Sequence, residues 1–253
     1  SAAYWVQSGK VRATMPPKLK AFARRFSLEF LKLNREVLGI IIAFSIVIFG
    51  YLALMAPTSD AVELQPFMSF VMGVLMPLLL SLVGNFILFK EVENGSIDFI
   101  RTRQSMERLW LYRIVGFLLL SALANIMIVS ISNMIYGPIL PPIMMFTLFV
   151  PTLFFSGLMG VATGITKNAY VGAGVGITSW LYFYLHSETM TTRLTINDIV
   201  YYPFLEWMIY RDRPYMINSL IPNRLVISAI SVLLLVLCYW LYKKNLRYVT
   251  SAR

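Results

Sequence analysis

"PFMSFVMGVLMPLLLSLVGNFILF", residues Pro66 to Phe89, contains no Asp, Glu, Lys or Arg. A helix needs about 20 predominantly apolar residues to cross about 30 Å of hydrocarbon, so this stretch reads as a membrane span. It is followed at once by "KEVENGSIDFIRTRQSMERLWLYR", Lys90 to Arg113, which holds nine charged residues before the chain turns apolar again. The alternation extends over all 253 residues. Hydrophobic residues make up 58% of the chain and charged residues 13%, against roughly 25% charged in a soluble domain. Candidate spans are Val37–Ala56, Pro66–Phe89, Ile114–Tyr136, Pro142–Ile165, Ala169–Leu185 and Leu225–Tyr242. The expected fold is all-α and integral to the membrane, a six-helix bundle forming a single transmembrane domain over residues 1–253.

The charges give an orientation. Eight basic residues precede the first span, five lie in Lys90 to Arg113, one is Lys167 and four follow the last span. The opposite side carries only Arg193, Arg211, Arg213 and Arg224. Lys and Arg in short loops stay cytoplasmic, which predicts a multi-pass protein of the plasma (inner, cytoplasmic) membrane with both termini inside. The net charge of +10 is then a signal of topology and of anionic headgroups. A nucleic-acid partner is not expected, because no soluble fold carries a basic stripe.

Before the first span, "PKLKAFARRFSLEFLKLNREVLG" places Leu19, Phe22, Phe26, Phe30 and Leu33 on one helical stripe and Arg24, Arg25, Lys32 and Arg35 on the far side. That describes an amphipathic helix over 17–35 lying in the interface, with Pro17 suited to its first turn. It serves as an anchor or as an elbow packed beside a partner. The first 36 residues lack a central apolar run, so a cleavable signal peptide is not expected.

The spans also exclude chemistry. They hold no Asp, Glu, Lys or Arg, and the only histidine, His186, lies at the end of the fifth, which disfavours proton- or sodium-driven transport and haem binding. Neither HExxH nor a Ser-His pair occurs within them, and the lone Cys238 offers no disulfide or cysteine-ligated metal site. An enzyme is not expected, nor a metal or cofactor on this chain. Asn85, Asn125 and Asn133 read as interhelical hydrogen-bonding residues or as substrate contacts. Gly157, Gly160 and Gly164, then Gly172 and Gly176, have the spacing that lets helices approach closely, within one bundle or across a dimer seam.

The charged stretch needs its own explanation. Glu91, Glu93 and Asp98 form an acidic front and Arg101, Arg103, Arg108 and Arg113 a basic rear. Asn94-Gly95 signals a turn, Ser96 suits a helix cap, and Ile97, Phe99 and Ile100 make a short apolar knob flanked by charge. A bare connector needs no such knob, whereas docking into another protein does.

"EVENGSIDFIRTR", placed between a second and a third span, resembles the cytoplasmic coupling helix of type-2 ABC transporter permeases. Glu91, Glu93, Gly95, Ser96, Ile97, Asp98 and Ile100 match the pattern in place. The layout matches over almost the whole chain: elbow, six spans, a coupling helix region at 91–104, and an external segment before the last span. Where that family often has proline, this chain has Gln104. The resemblance implies a pathway built by two permease subunits, as homodimer or heterodimer, and two copies of a separate ATP-binding subunit that carries ATP and Mg. Glu91, Glu93, Asp98, Arg101 and Arg103 would make the charged contacts to that subunit around the knob. The GxxxxGK[ST] phosphate loop is absent from this chain, so the nucleotide belongs to the partner.

Residues 187–224 form the external segment, rich in Tyr and Trp. Interfacial or re-entrant helices are expected there, as an aromatic belt or as a cap on the pathway exit, with Tyr201, Tyr202, Phe204 and Trp207 as gate candidates. The leading function is the permease subunit of an exporter of hydrophobic or amphipathic compounds such as drugs, peptide antibiotics or peptide toxins. A polysaccharide or lipid-linked glycan exporter is the alternative within the family, and an ATP-independent channel or membrane scaffold the alternative outside it.

Overall fold

The computed structural model describes residues 38–39, 41–54, 61–93, 106–137, 139–141, 147–189, 201–211 and 214–251. The expected elbow helix and the charged stretch from Asn94 to Ser105 lie outside the described residues.

Helices account for nearly all of what is described, and no strand occurs among these residues. Helix α1 covers Ile41–Leu54. Helix α2, Ala61–Phe70, runs through a π-helical turn at Val71–Leu75 into α3, Met76–Glu93. Then follow α4 (Met106–Tyr136), α5 (Val150–Thr166), α6 (Ala169–Thr189), the short α7 (Leu205–Arg211), a 3₁₀ turn at Pro214–Ser219 and α8 (Leu220–Ser251). Among the described residues, three stretches are long and apolar enough to cross a membrane: Glu63–Phe89, Trp110–Tyr136 and Ile217–Lys244. Their outward faces remain apolar: Met134 is 90% exposed, Leu233 69% and Leu225 68%. Water would penalise such faces, and acyl chains do not.

Local sequence explains the boundaries. Pro77 has no N–H and crowds the carbonyl four residues back. The helix absorbs this by widening just before it, where the Met76 N–H donates to the Val71 carbonyl. The second apolar run is therefore one rod from Ala61 to Glu93, longer at both ends than Pro66–Phe89. Within the fourth run, whose residues 142–146 lie outside the described residues, a helix covers Val150–Thr166 with Pro151 in its first turn, where proline is tolerated. Lys167 closes α5 in the left-handed conformation, φ 58°. Asn168 Oδ1 then accepts from the N–H groups of Tyr170 (2.8 Å) and Val171 (3.3 Å), capping α6. The last helix outruns Leu225–Tyr242 in both directions.

Helix α5 is the centre of the bundle, packed against α3, α6 and α8. A Cβ at Gly157 would stand 2.8 Å from Leu234 Cβ, and one at Gly164 3.0 Å from Leu241 Cβ, so α5 and α8 run parallel along this seam. Gly172 meets Thr163 and Gly176 meets Met159, so α5 and α6 run antiparallel. Helices α3 and α4 are also antiparallel, since Gly84 abuts the Phe117 ring while Arg113 Nη1 donates to the Ile87 carbonyl at 3.4 Å.

These directions give the bundle two ends. Leu88, Phe89, Trp110, Ile114, Ala169, Cys238 and Tyr242 cluster at one. That end also carries the termini of α3 and α4 from which the charged stretch departs. Rings from α2, α5, α6 and the residues before α7 cluster at the other. The 19 helical steps from Phe70 to Phe89 span about 29 Å, close to the hydrocarbon thickness.

Candidate functional site

The aromatic end is where the chain places the most chemistry. Trp180 and Tyr184, one turn apart on α6, stack at 5.3 Å. Tyr184 also stacks on Trp207 at 5.5 Å, and Phe70 of α2 lies 5.5 Å from Trp207. Phe204 stacks on Phe155 of α5 at 5.6 Å and meets Tyr202 edge-on at 6.0 Å. Each such pair contributes about 0.5–1.5 kcal/mol beyond the area it buries. Three of the four gate candidates, Tyr202, Phe204 and Trp207, are thus buried in a plug of packed rings at this end of the bundle. Tyr201 is not among them, being 61% exposed.

Directed hydrogen bonds hold the plug. Tyr202 Oη donates to the Phe183 carbonyl at 2.8 Å. At the start of α8, Asn223 Nδ2 donates to the Tyr202 carbonyl at 2.9 Å, and Arg224 Nη1 to the Pro203 carbonyl at 3.0 Å. Arg224 Nη1 also reaches Asn223 Oδ1, 3.1 Å away. Both residues are buried. The chain before α7 is therefore fastened to the last span through consecutive carbonyls. On the facing side, Trp180 Nε1 donates to the Val74 carbonyl at 2.8 Å, inside the widened π turn. Sequence reasoning counted Arg224 only as an external charge and passed over Asn223 and Trp180. The available signal was an Asn-Arg pair directly abutting an apolar run, where a charge is costly unless held.

Away from the plug, α5 offers small residues and hydroxyls. Ser81 Oγ donates to the Thr152 carbonyl (3.1 Å) and accepts from Ser156 Oγ (3.1 Å). Asn85 Nδ2 donates to the Ala169 carbonyl at 2.9 Å while its Oδ1 accepts from Thr163 Oγ1 at 2.8 Å. Asn85 thus ties α3 to both members of the α5–α6 hairpin. The other two span asparagines bond locally, Asn125 to the Ser121 carbonyl and Asn133 reciprocally with Leu140. On α4, Ser121 Oγ, Asn125 Oδ1 and Ser132 Oγ are buried with no hydrogen-bond partner among the described residues. Gly157, Gly160, Gly164, Gly172 and Gly176 all face neighbouring helices of the same chain.

For the coupling residues, the structure gives only the backbone of Glu91 and Glu93, in the last turn of α3. Gly95, Ser96, Ile97, Asp98, Phe99, Ile100, Arg101 and Arg103 lie outside the described residues. No family model matches the chain, and no curated protein or solved structure matches it significantly.

Proposed function

We propose that this chain is a six-span permease subunit of an ATP-driven exporter of hydrophobic or amphipathic compounds, working with a separate ATP-binding subunit. The observation that carries the reading is the polarity of the bundle. Its two ends differ in kind: one ends in a ring-packed plug fastened by side chains, and the helices bracketing the charged, knob-bearing stretch emerge at the other. A lever at one end and a stopper at the opposite end are what alternating access requires. Partnerless oxygens on α4 support a pathway beside that helix, since burying them dry costs about 1–3 kcal/mol each. Rings packed on one another, rather than spread along a channel, favour apolar cargo over glycan.

The test is purification together with the products of neighbouring genes. An ATPase that co-purifies, and is lost when Asp98 and Phe99 are replaced together by alanine, is the expected result. Transport that persists in vesicles with no ATPase present would replace this reading with a channel.

A further inference from the structure

The wide turn at Val71–Leu75 carries a second feature, independent of the exporter reading: it lies where the second rod changes neighbours. Before it, α2 packs on α7, and the Phe70 ring lies 5.5 Å from that of Trp207. Phe67 stacks on Tyr51 of α1 at 3.7 Å. After it, α3 packs on α5 and α6, held by Ser81 to the Thr152 carbonyl and by Asn85 to the Ala169 carbonyl. One rod thus belongs to two sets of neighbours, and the wide turn is the join.

The join is built to change. Pro66 and Pro77 bracket it, and neither brings an N–H to the helical ladder. Gly73, inside it, has the weakest helical preference of any residue but proline. A wide turn moves along a helix by exchanging five-residue hydrogen bonds for four-residue ones, so the bonds are traded rather than lost. Each residue it passes is rotated by about 100° against its surroundings. Phe70 is the first residue in its path towards Pro66, and such a rotation takes its ring off Trp207.

One side chain from another helix holds the turn in place. Trp180 Nε1, on α6, donates to the Val74 carbonyl at 2.8 Å. The same indole stacks on Tyr184 at 5.3 Å and meets Phe204 edge-on at 6.2 Å. Trp180 therefore grips the turn with its N–H and sits among the plug residues with its rings.

We propose that Val71–Leu75 is a movable joint with Trp180 as its latch. While the indole N–H holds the Val74 carbonyl, the wide turn stays at 71–75 and Phe70 faces Trp207. When the rings around Trp180 part, the latch opens, the turn travels towards Pro66, and Phe70 swings away. Trp180 is a positioning residue in this device, acting on Phe70 through the turn.

The test places 4-trifluoromethylphenylalanine at Phe70 in the full chain in nanodiscs and follows it by fluorine NMR. One main resonance, shifted by the Trp207 ring, is expected in the wild type. Replacing Trp180 by its sulfur isostere, benzothienylalanine, keeps the double ring and removes only the N–H. That change should raise a second resonance, from Phe70 clear of Trp207, about fivefold over the wild type, as losing one neutral hydrogen bond implies. Trp180→Phe should do the same. The probe placed instead at Phe86, on α3 beyond the join, should keep one resonance throughout. Deleting Gly73 removes the extra residue and leaves no wide turn to move, so the second resonance should vanish even with the isostere present. An unchanged Phe70 spectrum with the isostere overturns the proposal. So does a second resonance that appears only in Trp180→Phe or that persists after the deletion, since Trp180 would then act by ring packing alone. A parallel change at Phe86 also overturns it, because the loosening would be general.

Discussion

The aromatic plug and the α5 seam are both buried, yet they are built by opposite means. Along the seam, helices approach until a single methyl group would collide, and the contacts are glycine, hydroxyl and backbone. At the plug, large rings pack on one another and the chain is fixed by side-chain donors to the Tyr202 and Pro203 carbonyls. Close-packed interfaces are not continuously deformable, so α3, α5, α6 and α8 move together. The plug is held by ring contacts and a few side-chain hydrogen bonds, with no close backbone approach, so on the proposed reading it is the part that would move. On the proposed function, the contrast would separate a rigid body from a part that moves.

The largest expected effect tests the rigid side. A Cβ at Gly172 would overlap Thr163 Oγ1 and stand 2.7 Å from the Met159 carbonyl oxygen, which belongs to the backbone and cannot swing aside. Gly172→Ala should destabilise by about 3 kcal/mol, the upper range for overpacking, read as a fall in thermal unfolding temperature in detergent. Gly174→Ala is its control, because nothing lies within 4 Å of a Cβ there. In a helix this change should be neutral or stabilise by up to about 1 kcal/mol. If Gly174→Ala harms the protein as much as Gly172→Ala, that face of α6 is occupied by a second copy of the chain, and the seam extends beyond one subunit.

At the plug, Arg224→Gln shortens the donor that reaches Pro203. Hydrogen bonds from charged groups contribute about 1.5–3 kcal/mol, so the plug should loosen by that order. Hydrogen exchange should rise around Tyr202 to Trp207 and stay unchanged along α5. Exchange that rises equally in both regions would dissolve the distinction. Asn223→Ala removes one neutral hydrogen bond and should act in the same place by about 1 kcal/mol. The smallest effect belongs to Trp180→Phe, which keeps an aromatic ring but loses the bond to Val74, worth about 1 kcal/mol or less. It should broaden or shift signals at the π turn before it lowers stability.

Much of the bundle was legible in the sequence, for identifiable reasons. Charge-free runs of about 20 residues have few structural alternatives, so among the described residues three helices long and apolar enough to cross a membrane stand where runs were expected, with shorter apolar helices at Ile41–Leu54 and Val150–Thr166. The close approach encoded by the glycines was legible too, because only glycine admits it. Their partners were not, since spacing says that something comes near and nothing about what. The plug was half legible: Tyr202, Phe204 and Trp207 announced themselves as aromatic residues. Phe70 and Tyr184 lie well over a hundred residues from one another in sequence, and their meeting depends on the bundle's geometry. Arg224 was misjudged because a count of charges per loop treats every arginine as solvated, and this one is folded into the protein.

The widened turn at Val71–Leu75 carries a consequence for inheritance. It accommodates one residue more than an α-helical turn would, so everything from Met76 onward is rotated by about 100° relative to an uninterrupted helix. Deleting one residue there would let the rod close to ordinary pitch and leave Ser81 and Asn85 facing α5, whereas a deletion further along the rod would turn them away by about 100°. The wide turn is therefore the one place in this rod where the loss of a codon keeps the downstream faces in phase, and elsewhere in the rod it does not.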